Sequence, residues 1–178
     1  MKHSIYIAFL IVVAAISTSI PSFALGNLFF KQLTANPLEA RVGTMYQFGD
    51  NKLRLDIGNS IDLQTIQLSD SLPLSFGADF FTLTRLRSEG KLKFPVETAD
   101  FYFGINGAIK RNIGENIEGS ARLRLAHISS HLIDGYATDG VFVREKPFVY
   151  IREFAEGIVA AESSRSFRIY AVFTFILD

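Results

Sequence analysis

The 178-residue chain has no cysteine, no tryptophan and only two methionines. Without a thiol it can form no disulfide, supply no thiolate to a metal and carry no lipid on an N-terminal cysteine, so a disulfide framework and lipoprotein anchoring are both excluded. Net charge is lacking as well: 18 Lys and Arg are dispersed among 18 Asp and Glu. That balance leaves no basic surface of the kind nucleic acid requires. Beyond the first two dozen residues no apolar run reaches the roughly 20 residues of a spanning helix, although 48% of the chain is hydrophobic. If such a chain enters a membrane, it crosses as strands.

What is present begins with an export pattern. Lys2 and His3 precede an apolar run from Ile5 to Ile16, and small and polar residues lead to Ser22-Phe23-Ala24. This predicts a secretory signal peptide over 1–24, cleaved after Ala24, followed by one domain over 25–178.

Period-two alternation then recurs along the chain. Ala40, Val42, Thr44, Tyr46 and Phe48 oppose Arg41, Gly43, Met45 and Gln47, and Gly49-Asp50-Asn51 forms a tight turn. A second strand sets Leu53, Leu55 and Ile57 against Lys52, Arg54 and Asp56 and continues, with a bulge, through Ile61 and Leu63. Further strands are expected at about 75–87, 100–111, 117–130, 147–161 and 165–177. Pro37, Pro73, Pro95 and Pro147 fall at the edges or in the connections, where a missing ladder donor costs little. The stretch 25–39 reads as a leader into the first strand.

The fold expected is all-β, an antiparallel up-and-down β-barrel of outer-membrane type with about seven or eight strands. A soluble barrel has the same period, so the content of the polar face decides between them. That face holds Arg41, Arg54, Arg122 and Arg124 against Asp56, Asp79 and Glu118, mixed with Gly and Ser. Paired charges of this kind fill a narrow barrel lumen as a salt-bridge network. If the first strand rises outward, 69–74, 112–116 and 162–164 are periplasmic turns, and 88–99 and 132–146 are external loops. Seven is an odd number, whereas bacterial single-chain barrels have an even one. Either a strand lies near Leu28 to Gln32, or the chain is a shortened form of a longer barrel; the second reading is preferred.

One segment carries possible chemistry. In Ala121-Arg-Leu-Arg-Leu-Ala-His-Ile-Ser-Ser-His131 the apolar phase of Leu123 and Leu125 runs on into His127, Ser129 and His131. Residues i and i+2 of a strand stand about 6–7 Å apart on one face, so an imidazole can reach a hydroxyl as general base. An orienting group would have to come from Asp134, Asp139 or Glu145. The competing reading is a polar rim in which these side chains meet lipid headgroups. His127 and His131 stand about 13 Å apart on a strand and cannot share one metal ion. No metal and no cofactor are expected. Asp134-Gly and Asp139-Gly read as turn formers, with too few carboxylates for a calcium loop. Seven or eight strands also leave an interior filled by side chains, which disfavours a pore.

The stretches Val96-Glu-Thr-Ala-Asp-Phe-Tyr-Phe-Gly-Ile-Asn106, Arg122-Leu-Arg-Leu-Ala-His-Ile-Ser-Ser-His-Leu-Ile-Asp134 and Tyr150-Ile-Arg-Glu-Phe154 resemble the bacterial family called domain of unknown function number 1207. The resemblance covers nearly all of the chain after Ala24, and it implies an exported outer-membrane barrel with no established activity. Members are usually much longer, so this chain would correspond to about their first half. His127-Ile-Ser129 is also similar to the His-x-Ser pattern of outer-membrane acyl hydrolases. By that similarity Ser129 would be the nucleophile, His127 the base and Asp134 a candidate third member. The family pattern places Asn after the Ser, where this chain has Ser130. The resulting expectation is a barrel in the outer membrane with a structural or recognition role, meeting membrane lipid or lipopolysaccharide and the outer-membrane assembly machinery. The alternatives are a lipid acyl hydrolase for the activity and the periplasm for the location.

Overall fold

In a computed structural model the described residues are 8–15, 28–89, 91, 93–132, 137–138, 141–142, 149–163 and 167–177. They contain ten strands and no helix: β1 (Ala8–Ala15), β2 (Gly43–Gln47), β3 (Lys52–Ser69), β4 (Leu72–Arg87), β5 (Val96–Gly114), β6 (Ile117–Leu132), β7 (Ala137–Thr138), β8 (Val141–Phe142), β9 (Val149–Ser163) and β10 (Phe167–Leu177). Eight of them form one sheet in the order β1-β10-β9-β6-β5-β4-β3-β2, antiparallel at every step. From β2 to β10 this is the up-and-down order that alternation predicted, with the small β7–β8 ribbon inserted in the connection after β6. The backbone of β1, inside the segment read as an export signal, lies along β10 with Ala15 opposite Arg168.

Closure is where the architecture differs from the barrel expected. Among the described residues β2 pairs only with β3, and neither β10 nor β1 pairs with it, so the sheet is open. It is nevertheless strongly curled. Adjacent strands are about 4.8 Å apart, so β3 and β10, five steps apart in the order, would be separated by roughly 24 Å in a flat sheet. Yet the Phe29 amide donates to Asp62 of β3 at 2.6 Å, while the ring of the next residue, Phe30, lies 4.9 Å from the Arg168 guanidinium of β10. One residue of chain bridges the two strands, so the sheet is bent into a trough.

The trough is occupied by residues 28–41, which take in most of the 25–39 stretch read from sequence as a leader and the first two residues of the strand expected after it. Phe30, Leu33, Asn36, Glu39 and Ala40 are all buried there. Phe30 and Leu33 pack with Ala108, Ile158, Ala160 and Tyr170. Ala40 joins a second cluster with Phe81, Tyr102, Ala126 and Phe154, in which Phe81 and Tyr102 stack at 4.1 Å. Gly58 permits that stack: a Cβ there would lie 2.0 Å from the Cβ of Phe81.

Strand limits differ from the sequence reading where bulges break the period. The break expected over 69–74 is a two-residue turn at Asp70 and Ser71, and Pro73 sits at the start of β4 opposite Gln67. β5 begins at Val96 rather than near 100, because Glu97 is an extra residue between the pairs Arg85–Thr98 and Leu86–Val96. The expected bulge in β3 is present at the register shift between Asp62 and Gln64. The first strand is shorter than expected, since Ala40 and Arg41 belong to the segment inside the trough. Asn51, at φ 53°, closes the 48–51 turn, and its side chain donates to the Ser88 carbonyl at 2.9 Å.

Candidate functional site

The two faces of the sheet invert the usual distribution of polarity. Along β6, Arg122, Arg124 and Ala126 are buried in the trough, whereas Leu123 and Leu125 are exposed on the outside. The same phase holds on β4, with Asp79 and Phe81 inside and Phe76 and Phe80 outside, and on β9, with Glu156 and Ile158 inside and Val159 outside. Side chains of a strand alternate between faces, so this pattern is a direct consequence of the sequence phase.

Inside, Arg124 is the centre of a charge network and is 1% exposed. Its guanidinium lies 3.1 Å from Glu39, 3.4 Å from Asp79 and 3.5 Å from Glu156. It also donates to the Leu38 carbonyl at 2.7 Å and to the Tyr102 hydroxyl at 3.0 Å. Glu39 pairs with Arg122 as well. The Phe30 ring is held between the Arg122 and Arg168 guanidinium groups, at 4.5 and 4.9 Å, an arrangement in which each cation meets the ring's negative face. Asp79 further accepts from Ser60 at 2.5 Å and from Asn106 at 3.0 Å. A second group joins Asp56 to Arg41 at 2.6 Å and to Arg54 at 2.7 Å.

Six of the seven residues expected in the network are therefore ion-paired on the inner face, in two groups rather than one. Glu118 is the exception: it stands in register with Glu162 and makes no ion pair among the described residues. Two central members, Glu39 and Glu156, were not picked out from sequence. Glu156 could have been, because it shares its phase with the apolar Phe154 and Ile158, and a carboxylate there needs a buried cation. Glu39 carried no such signal, lying outside any alternating segment.

On the outer face, His127, Ser129 and His131 follow Leu123 and Leu125 in the expected phase, but they pair differently from the arrangement predicted. His127 stands in register with Glu153 of β9, and its Nδ1 lies 2.9 and 3.0 Å from the two carboxylate oxygens. Ser129 Oγ is instead 2.7 Å from His131 Nε2. The predicted Ser129–His127 couple is thus corrected to Ser129–His131, because the carboxylate opposite His127 draws that ring across the ladder. The His131 ring meets Phe101 edge-on at 5.5 Å. Asp134, Asp139 and Glu145, the candidates for a third member, lie outside the described residues.

The Ser129–His131 contact can do one chemical thing: the hydroxyl can pass its proton to Nε2 as oxygen attacks an ester. Among the described residues no group of three His, Asp or Glu side chains could hold a metal ion, and no helix is long and apolar enough to cross a membrane. Comparison with family models, with curated proteins and with solved structures finds no match to this chain.

Proposed function

We propose that this chain forms the wall of an outer-membrane β-barrel, with lipid against its outer face, and serves a structural or recognition role through its long connections. The observation that carries the reading is the inversion of polarity. Arg124, Glu156, Asp79 and Arg122 are buried while Leu123, Ile105, Phe103 and Phe80 are exposed. In water that outer face would be a large apolar surface of the kind monomeric soluble proteins avoid; in lipid it is the expected wall. On β6 the outward apolar span runs from Ile117 to Leu125 and stops at His127, close to the roughly 9–11 residues that carry a tilted strand across a bilayer. The polar His127–Glu153 pair then marks the rim, where lipid headgroups and lipopolysaccharide would be met. The resemblance to the 1207 family belongs to the same reading, as does delivery by the outer-membrane assembly machinery.

Because the chain has no native cysteine, single cysteines report facing directly. In lipid vesicles, Leu123→Cys and Leu125→Cys are expected to react with a lipid-soluble maleimide and resist a charged one, Ser129→Cys to react with the charged reagent, and Arg124→Cys with neither. Equal reaction of Leu123→Cys and Ser129→Cys with the charged reagent would remove the lipid-facing wall.

A second reading is favoured by one contact, the Ser129–His131 hydrogen bond at 2.7 Å, located where the apolar wall meets the rim. There the pair would cleave the acyl ester of a membrane lipid. On that reading Ser129→Ala and His131→Ala each abolish fatty-acid release from phospholipid vesicles, while His127→Ala retains it. Failure of the wild-type chain to release fatty acid eliminates hydrolysis and leaves the barrel reading intact.

A further inference from the structure

The trough has a second polar feature, at the end that bears the long connections, which the charge network around Arg124 does not use. Arg54 and Arg85 stand directly opposite each other on β3 and β4, and in the next row Lys52 stands opposite Arg87. Like charges directly opposite destabilise a ladder, so a two-by-two patch of cations is not explained by sheet pairing. The carboxylates nearby do not saturate it. Asp56 is shared between Arg41 and Arg54. Glu97 pairs with Lys52 but stays 3.8 Å from both Arg85 and Arg87. Arg87 turns to Glu89 at 2.6 Å. Arg85 makes no hydrogen bond among the described residues, and Arg54 commits its Nε to Asp56.

Arg54 and Arg85 both line a half-open cavity of about 310 Å³, with Pro37 of the packed segment, Met45 and Leu83 in its apolar lining and Thr98 and Asp100 among its polar lining. The volume is at the small end of the range for small-molecule sites, about 300–1,000 Å³. The side chains of Arg54 and Arg85 are 33% and 51% exposed, so a solute reaches them without unfolding anything. Asp100 makes no ion pair among the described residues and can accept hydrogen bonds. We propose that this cavity binds a small anionic polyol, its phosphate or carboxylate held between Arg54 and Arg85 and a hydroxyl donating to Asp100. Guanidinium groups suit this because their planar forks match the oxygens of phosphate and carboxylate. A bare anion is a poorer fit, since it brings its own negative charge up to the Asp100 carboxylate, whereas a polyol offers a neutral hydroxyl set apart from its charge. The site lies on the inner face and does not depend on what covers the outer one.

The test is calorimetric titration of the full chain, folded in detergent micelles, with glucose 6-phosphate, inorganic phosphate and glucose. Glucose 6-phosphate is expected to bind at least about ten-fold more tightly than inorganic phosphate, and glucose to give no heat, as befits a site that needs both a charge and a donor. Arg85→Gln weakens glucose 6-phosphate at least about ten-fold, the size of one lost charge-assisted hydrogen bond. Asp100→Asn weakens the sugar phosphate and leaves inorganic phosphate unchanged or tighter. Circular dichroism establishes that each variant is folded before titration. Absence of binding by the folded wild-type chain, or Arg85→Gln binding as well as wild type, overturns the proposal.

Discussion

Replacing Glu39 by Gln is expected to cost about 3–5 kcal/mol of folding free energy, because it removes one partner from a buried ionic group and leaves the others charged. Glu39 is the only carboxylate paired with Arg122 among the described residues, and it also lies 3.1 Å from Arg124. Both arginines are almost fully buried. Gln keeps the shape and one acceptor oxygen but none of the charge, so Arg122 loses its carboxylate partner and Arg124 one of three, in a low-dielectric space. Urea unfolding of Glu39→Gln in lipid vesicles, followed by circular dichroism, measures the loss. Glu39→Gln combined with Arg122→Met is expected to recover much of it, since taking out both members of a buried pair costs less than stranding one. A single variant as stable as wild type would mean that water reaches the trough and screens these charges.

The second large effect is on the opposite face. If the outer face is the lipid-facing wall proposed above, Leu123→Arg is expected to lower folding stability in vesicles by about 2–4 kcal/mol, the cost of a cation within the apolar span from Ile117 to Leu125. Leu123 is 59% exposed and stands between Gly107 and Gly157 on its neighbouring strands, so an arginine there finds no protein to shelter it. In water the same exchange at an exposed position would stay within about 0.5 kcal/mol. Ser129→Arg, at the rim, is expected to cost less than about 1 kcal/mol in vesicles. The contrast between the two positions separates a wall in lipid from a wall in water, and equal small effects would argue for the periplasm.

Much of this architecture was legible in the alternation of residues. Leu123, Leu125 and His127 on one side of β6 against Arg122 and Arg124 on the other could be read from period two alone, because a strand has no freedom to place neighbours on the same face. What could not be read has physical reasons. Glu97 forms a bulge, and one extra residue reverses the phase, so the start of β5 was hidden. The packing of 28–41 depends on contacts with strands more than a hundred residues away, and no local pattern encodes a partner at that distance. Facing is likewise a one-strand property, whereas the choice of His131 over His127 by Ser129 depends on Glu153 of β9, a residue brought into register only by the sheet. Closure depends on a pairing between first and last strands, which alternation never addresses.

The segment at the bottom of the trough also sets a schedule. Lys31 pairs with Glu162, 131 residues later, and the Arg168 guanidinium donates to the Lys31 carbonyl across 137 residues. The part of the chain synthesised early therefore cannot complete its native contacts until β9 and β10 have followed. Contacts of such sequence separation make assembly slow, because the entropy of the long loops is lost before the contacts form. In the interval Lys31 lacks Glu162 and Phe30 lacks Arg168, and the open edges of the early hairpins are free to pair wrongly. The last two strands are thus the ones that lock the segment in the trough in place.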